Sequence, residues 1–529
     1  MGLERTLPSL RAWILTAGLH LLLTACGSGG GGGDGGGAGS NQDTTAPTVA
    51  YTSPASGSSD ASITAPVTAV FSEPLDPSSM TESTFVVSSG STGTVTLSSG
   101  TARFMPYPAF AYGTTYTATL TTGVRDLAGN PLGSSYSWTF TTVPVQPGAL
   151  DLSFNGSGKV VTTFGSGEEQ GNAVLVQPDG KIVAAGVANG DFCLARYEAD
   201  GSLDTSFSGD GKATSFFVGT SSYDVVNALV LQPDGRILAA GSSESTFAVA
   251  RYHTDGSLDT TFDTDGKATV PGLIGYCNAI AIQPDGKILL GGTDGSTLLT
   301  LVRLQANGAL DTTFDTDGIA KGYAGPGGNG VAAALAVQPD GKILAAGTGD
   351  GGTYMSLMRF HANGSLDTMF GSGGRVLANV AYSSALGQCV HLQADGRIVL
   401  AGTTGNTFGL YRYASDGTLE TVFQSDSSHG REYLRGLAVQ ADGKFVAAGY
   451  RMTSSSIYGD FVLRRYGTDG SFDTTFGTDG RVTTVVGVGS GDHDGGHAVG
   501  IQPDGKIVVV GTTYGGALGR DLIVARYWP

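Results

Sequence analysis

The chain has 529 residues, enough for more than one domain, and it combines 85 Gly with only 14% charged residues and a formal net charge of −17. That balance excludes nucleic acid as a partner, because phosphates reward Lys and Arg, and it is not the composition of a typical helical enzyme. The four cysteines, Cys26, Cys193, Cys277 and Cys389, lie far apart with no CxxC pair, which supports neither a zinc ribbon nor a dense disulfide framework. The last three read as buried free thiols. Gly, Ser, Thr and Val dominate instead, as expected of many short strands joined by tight turns.

The first element is an N-terminal signal. Arg5 and Arg11 form a positive region, and the segment from Trp13 to Leu23 is apolar but too short to span a bilayer as a helix. It closes on Leu23-Thr24-Ala25-Cys26, which resembles a bacterial lipobox. The resemblance implies removal of residues 1–25 and lipidation of Cys26, with a diacylglycerol thioether on its sulfur and a fatty amide on its nitrogen. Several acyl chains anchor a protein far more firmly than one. The alternative is an ordinary secretory signal with an incidental Cys. Residues 26–43, GSGGGGGDGGGAGSNQD after Cys26, carry almost nothing to bury and read as a flexible tether. Gly27, not Asp, follows Cys26; this resembles the pattern of Gram-negative lipoproteins sent on to the outer membrane.

From residue 44 to 143 the pattern changes. Alternation such as Thr115-Tyr116-Thr117-Ala118-Thr119-Leu120 predicts half-buried strands of a β-sandwich. The segments VTAVFSEPLDPSS, VRDLAGNPL and the terminal WTFTT resemble the bacterial Ig-like domains found beside S-layer and surface proteins, and the resemblance implies a spacer. Glu73, Asp76 and Asp126 raise the possibility of a calcium site, but a solvated loop accounts for them better.

The remainder, 148–529, is a repeat. QPDGK or a near copy begins at Gln177, Gln232, Gln283, Gln338, Gln393, Gln440 and Gln502, at spacings of 55, 51, 55, 55, 47 and 62 residues. Each copy is flanked by LDxxF and by an Arg followed by an aromatic or Leu. The first copy yields four strands, GKVVTTF, NAVLVQ, KIVAAG and FCLARY, and Asp179-Gly180 predicts a type I′ hairpin between the second and third. The expected fold class is therefore all-β: an Ig-like β-sandwich followed by a seven-bladed β-propeller. An open β-solenoid is the competitor; it would need polar caps that neither end carries. The recurring GSLDTTFGTDG, QPDGKI and AARY-type segments resemble the delta-60 repeat of bacterial surface proteins. That resemblance implies a fold and an exported setting, and brings no established activity.

The stretch DGSLDTTFDTDGKA looks at first like a calcium loop. An EF-hand loop needs acidic or amide ligands one, three and five residues before its Gly and a Glu six after. Around Gly266 the fifth place before is Thr261 and the sixth after is Gly272. Other copies replace even Asp263 and Asp265, so turn chemistry is the better reading. The acid of LDxxF recurs as Asp151, Asp204, Asp259, Asp311, Asp367, Glu420 and Asp473. Since an Arg precedes each in equal number, the expectation is that the acids pair with it, or cap nearby backbone groups, in a repeated structural contact at the blade junction, and are not catalytic carboxylates.

Other candidates are weaker. His493 and His497 stand four apart in what reads as a Gly-rich connection, where the spacing fixes no metal site. His253 and His361 read as solvated, and Cys389, aligned with Ala173 and Ala279, as filling a small buried slot. The chain contains no GxSxG, HExxH, P-loop or dinucleotide fingerprint. No unit carries a distinct acidic or His cluster directed into the channel, and no catalytic, cofactor or metal residue is expected.

Strand parity gives one functional expectation. The near-constant PDG turns and DGSLD connections must emerge on one face of the ring and the variable links on the other. From the LDxxF Phe to the next Gln the separation runs from 17 to 26 residues, and from the AAG Gly to the Arg from 10 to 16. Variable loops on a rigid ring are where recognition resides. The longest second links, in copies six and seven, make Tyr450, Tyr458 and Tyr514 the candidate ligand rim. The expectation is a lipid-anchored cell-envelope protein, at the outer membrane or cell surface. It meets the membrane through its N-terminal lipid anchor and serves as a non-catalytic scaffold for a protein or glycan ligand. The alternatives are a propeller hydrolase or lyase acting on an extracellular substrate, and a purely structural envelope protein.

Overall fold

The computed structural model describes residues 43–529 except 89, 99, 108, 166, 218–222, 296–297, 380–384, 453–458, 487–493 and 515–518. Cys26 and its tether, Tyr458 and His493 lie outside the described residues.

Residues 49–141 form the sandwich. One sheet runs in the order Val49–Ser53, Val67–Phe71, Thr101–Pro106, Gly93–Ser98, and the other in the order Phe85–Val87, Thr115–Leu120, Tyr136–Thr141. Alternation does the work here: Tyr116, Ala118 and Leu120 point inward to a core with Phe85, Phe104, Trp138 and Phe140.

Seven four-stranded antiparallel sheets follow, and they close into a ring. Blades one to six begin with the inner strands Glu169–Val176, Asp224–Leu231, Gly275–Ile282, Gly330–Val337, Ala385–Leu392 and Arg431–Val439. Blade seven consists of Gly495–Ile501, Ile507–Tyr514, Arg520–Tyr527 and, returning from the far end of the domain, Lys159–Thr162. The second strands are buried along most of their length, and Ile182–Ala188 along all of it, because both faces pack on neighbouring blades.

Two details differ from the sequence reading. The GKVVTTF-type strand does not open its own blade but forms the outer strand of the preceding one. The reason is local: the DGSLDxxF segment folds back on the third strand, where Leu203 bridges Tyr197, and this sets the next strand antiparallel to the third. The PDG turn is also not type I′. Gly180 alone takes positive φ, at 87°, its amide donates to the Gln177 carbonyl, and Lys181 and Gln177 are paired across a three-residue loop. Pro178 fixes a negative φ at the first central position, which suits a type I turn followed by a left-handed Gly.

The ring closes at a turn. Pro147-Gly148-Ala149-Leu150 takes the place that Asp200-Gly201-Ser202-Leu203 holds elsewhere: the Pro147 carbonyl accepts from Gly477, and Leu150 bridges Tyr527. LDLSF thus leads the closing strand across the seam. Tyr112 of the sandwich meets Trp528 edge-on at 6.0 Å, and Leu152 packs on the sandwich core. Both contacts lie on the PDG-turn face, so the sandwich abuts that face and the variable loops emerge on the opposite one.

Candidate functional site

On the turn face the Arg and the LDxxF acid do pair. Arg196 Nε lies 2.7 Å from Asp204, Arg251 2.8 Å from Asp259, Arg303 2.7 Å from Asp311, Arg359 2.8 Å from Asp367, Arg465 2.8 Å from Asp473, and Arg526 Nη2 2.8 Å from Asp151. The basic residue of each PDG[KR] turn joins the same acid, for example Lys181 on Asp204 at 2.7 Å and Arg236 on Asp259 at 3.0 Å. Each Arg also lies over the Phe of its LDxxF, at 4.6 Å for Arg196 and Phe207. All but Arg465 then reach the next blade: Arg251 Nη1 donates to the Ala306 carbonyl at 2.7 Å. Burial works against the charge on Asp259, but the Thr261 hydroxyl and amide, with Arg251, bring its pKa down to about 2. The second carboxylate oxygen is thus spent on capping its own turn, with the Thr261 hydroxyl at 2.6 Å. Such an acid is a structural clamp.

Blade five departs from this. Glu420 is partly exposed, 3.7 Å from Arg412, and the Arg412–Phe423 separation widens to 5.8 Å. Its outer strand is Leu419–Val422 itself, because the shortened copy lacks the GTDG turn that follows LDxxF elsewhere.

Turn chemistry also accounts for the acids after LDxxF. Asp263 and Thr264 adopt positive φ, and Asp265 Oδ1 accepts the Lys267 amide at 3.0 Å. Among the described residues, Asp43, Glu73 and Asp126 are the one trio of His, Cys, Asp or Glu close enough to share an ion. There Asn130 Nδ2 already donates to Asp126 at 2.7 Å and to the Asp43 carbonyl at 3.0 Å. Asp76 instead caps the turn at Ser78.

The inner strands hold what the sequence reading missed. On all seven the register slips by one residue at the same place, and the residues at the slips are Asn172, Asn227, Asn278, Ala333, Gln388, Arg435 and His497. The AAG Gly of the second strand permits the slip: a methyl group on Gly347 would overlap the Val331 carbonyl, and Gly186, Gly241 and Gly402 stand likewise against their partners. These seven residues line a cavity of about 620 Å³ in the central channel, with Val331, Leu386, Thr348 and Gly351 on the side toward the variable loops.

The ring of bulges satisfies its own edges. Asn172 Nδ2 donates to the Val226 carbonyl at 3.0 Å, Asn227 to Cys277 at 2.8 Å, and Asn278 to Ala332 at 3.3 Å. His497 Nδ1 pairs with the Gly171 carbonyl at 2.9 Å across the seam. Burial, then the Arg435 charge, pushes the His497 pKa down to about 4. Arg435 approaches the Tyr450 hydroxyl at 3.4 Å and its ring at 5.6 Å, and Tyr450 stacks on Tyr433 at 5.2 Å. Among the described residues no carboxylate lies within 4.0 Å of the Arg435 guanidinium.

His497 therefore stands on an inner strand, not in a Gly-rich connection, and blades six and seven do depart from the others by placing basic groups in the channel. Tyr450 is 5% exposed and packs beside Arg435, while Tyr514 stays 36% exposed at the loop end of its strand. The exposed aromatic residues on the loop face cluster across the ring instead, with Phe216, Tyr223, Tyr276 and Tyr323 each more than half exposed. His253 and His361 are half-exposed beside Asp259 and Asp367. Cys193 and Cys277 are buried and Cys389 half-buried, all as free thiols, with burial raising the Cys277 and Cys389 pKa values to about 12. A usable signal existed in the sequence: each bulge residue lies five places before the Gln of its QPDG copy.

Residues 43–142 match the family described as a bacterial Ig-like domain. The segments 177–207, 232–262, 283–314, 338–370, 393–423, 440–476 and 502–529 match the β-propeller family described as domain of unknown function DUF5122. No curated protein matches the chain. Solved structures similar to it include virginiamycin B lyase from Staphylococcus aureus, 11% identical over 69% of this chain and 98% of that one, with a TM-score of 0.43. Another is the PQQ-bound aldose sugar dehydrogenase from Streptomyces coelicolor, 18% identical over 61% and 96%, with a TM-score of 0.36. At these values the likeness bears on neither activity nor substrate. The chain thus carries a bacterial Ig-like domain followed by a DUF5122 β-propeller of seven repeats.

Proposed function

We propose that this is a lipid-anchored cell-envelope protein whose propeller binds a glycan on its variable-loop face without turning it over. The observation that carries the reading is the division of the ring into two unlike faces. The turn face is consumed by the Arg–acid clamps and by the sandwich at Tyr112 and Leu152. The loop face keeps Phe216, Tyr223, Tyr276 and Tyr323 exposed, on the same side as the variable loops that border a polar channel. Flat aromatic faces with hydroxyl tips beside amide groups suit a sugar chain, whose C–H faces stack and whose hydroxyls bond. With the sandwich on the turn face, a tether ending at residue 43 holds the loop face away from the membrane, and the lipobox-like Cys26 supplies the anchor.

A glycan array probed with the full chain in detergent tests this. Saturable binding is expected, lost on Tyr276→Ala and retained on Met369→Ala, a substitution at an exposed position on the turn face. Glycan binding indifferent to Tyr276, or release of substrate fragments during incubation, would overturn the reading.

A further inference from the structure

The channel cavity has a chemical asymmetry that narrows its ligand. Blades six and seven contribute Arg435 and His497, while blades one to three contribute Asn172, Asn227 and Asn278. Each Asn spends one Nδ2 hydrogen on the carbonyl of the next blade, which fixes the amide and leaves its oxygen as an acceptor beside the remaining N–H. His497 spends Nδ1 on the Gly171 carbonyl, which can only accept. With a pKa near 4 the ring is neutral at pH 7, and Nε2 carries a lone pair.

Among the described residues Arg435 is held by a tyrosine face and hydroxyl, not by a carboxylate. The described acids near the loop end of the channel are engaged elsewhere. Glu432 meets Arg464 at 2.9 Å and Arg481 at 2.7 Å. Asp494 accepts the Thr513 hydroxyl, Asp224 the Phe217 amide, and Glu169 the Phe164 amide. Glu169 and Asp521 face one another, with burial raising both pKa values. Arg520 adds a second positive charge felt at His497.

The cavity thus presents a planar cation with donors on one side and acceptors on three successive blades opposite. A bare inorganic anion satisfies the cation but leaves the acceptors dry. An ammonium group gathers its three donors on one atom and carries the same sign of charge as Arg435. Hydroxyls spread over several carbons are neutral and reach separate blades, and a carboxylate matches the guanidinium fork.

We propose that the central channel binds a small polyhydroxylated carboxylate of the sugar-acid class, free or as the end of an acidic glycan. Its carboxylate lies on Arg435, one hydroxyl donates to His497 Nε2, and others donate to the Asn172, Asn227 and Asn278 amide oxygens. The volume, about 620 Å³, falls in the range of small-molecule sites. The inference rests on the loop face being the binding face, since the channel opens there.

Isothermal titration of the full chain with glucuronate tests it, with glucose, sulfate and glycine as the other arms. Saturable binding of glucuronate is expected, with at least tenfold weaker binding of the other three. Arg435→Met should abolish it. Should that variant fail to fold, Ala333→Asp places a carboxylate in the same cavity without removing any side-chain hydrogen bond, and should weaken glucuronate at least tenfold. Equal binding of sulfate would reduce the site to a simple anion hole, and preference for glycine would replace the ligand class. Either result overturns the proposal, as does glucuronate binding indifferent to both substitutions. Array glycans bound through Tyr276 with no glucuronate binding would sink this inference alone; loss of all glycan binding with glucuronate retained would sink the loop-face reading alone.

Discussion

On the turn face of the ring, six Arg–Asp pairs repeat at 2.7–2.8 Å, all buried but for the half-buried Asp473, each over a Phe and capping its own turn. On the channel and loop side the same seven modules present Asn, Asn, Asn, Ala, Gln, Arg and His at one equivalent position. The turn face repeats because every copy must solve the same docking problem, and a buried acid tolerates no missing partner. The channel position is free to vary because the slip is paid for by backbone geometry and the Gly opposite, whatever the side chain. Uniformity marks the clamp, and divergence marks where a ligand can be read.

The largest effect should follow from opening the ring. A chain beginning at residue 163 lacks the Pro147 turn, the Asp151 clamp and the strand Lys159–Thr162, and leaves Leu522–Ala525 with an open edge. Calorimetry and gel filtration should show the cooperative melt broadened and the chain self-associating. An unchanged, monomeric transition would mean that the clamps alone close the circle.

Next in size is a single clamp. Asp259→Ala strands the buried Arg251 guanidinium, while the half-exposed Arg236 keeps Asp234, and should cost about 3–5 kcal/mol in denaturant unfolding. Glu420→Gln, in the loosened clamp of blade five, should cost no more than about 1 kcal/mol, since the acid is partly exposed and its Arg412 contact is long. Equal costs at the two positions would dissolve the distinction between a tight clamp and an ordinary ion pair.

The sequence made the clamp legible because its parts are constant: an acid, an Arg and a Phe at fixed spacings can be counted. The face assignment was legible too, since parity depends only on the number of strands. The out-of-step blades were not, because GKVVTTF reads as a strand in either partnership and only the fold-back of Leu203 decides. Nor was the PDG geometry, where Asp-Gly suggested two positive φ values and Pro178 allowed only the second. The channel ring stayed hidden because Asn172 and its equivalents are single polar letters in apolar strands. The slip that turns them inward lies in the register, which no spacing prints. Tyr450, chosen as an exposed contact, became instead the face on which Arg435 rests. That outcome follows from its place on the second strand of blade six, opposite Tyr433.

The two sides should also respond to acid in separate windows. His497 on the channel side has its pKa lowered from 6.5 to about 4, so the unfolded chain binds a proton there before the folded chain does. The stability this group contributes is complete above pH 6.5 and is lost as the pH falls toward 4. Asp259 on the turn side is lowered from 3.8 to about 2, and its contribution survives to pH 4 and disappears between 4 and 2. Melting temperatures measured from pH 7 to 2 should therefore decline in two stages. His497→Gln should flatten the upper stage by a few degrees and leave the lower one intact, while Asp259→Asn should do the reverse. If His497→Gln left the decline between pH 6.5 and 4 unaltered, the imidazole would not be held neutral in the channel. Its Nε2 would then be a donor rather than the acceptor that a sugar-acid hydroxyl requires.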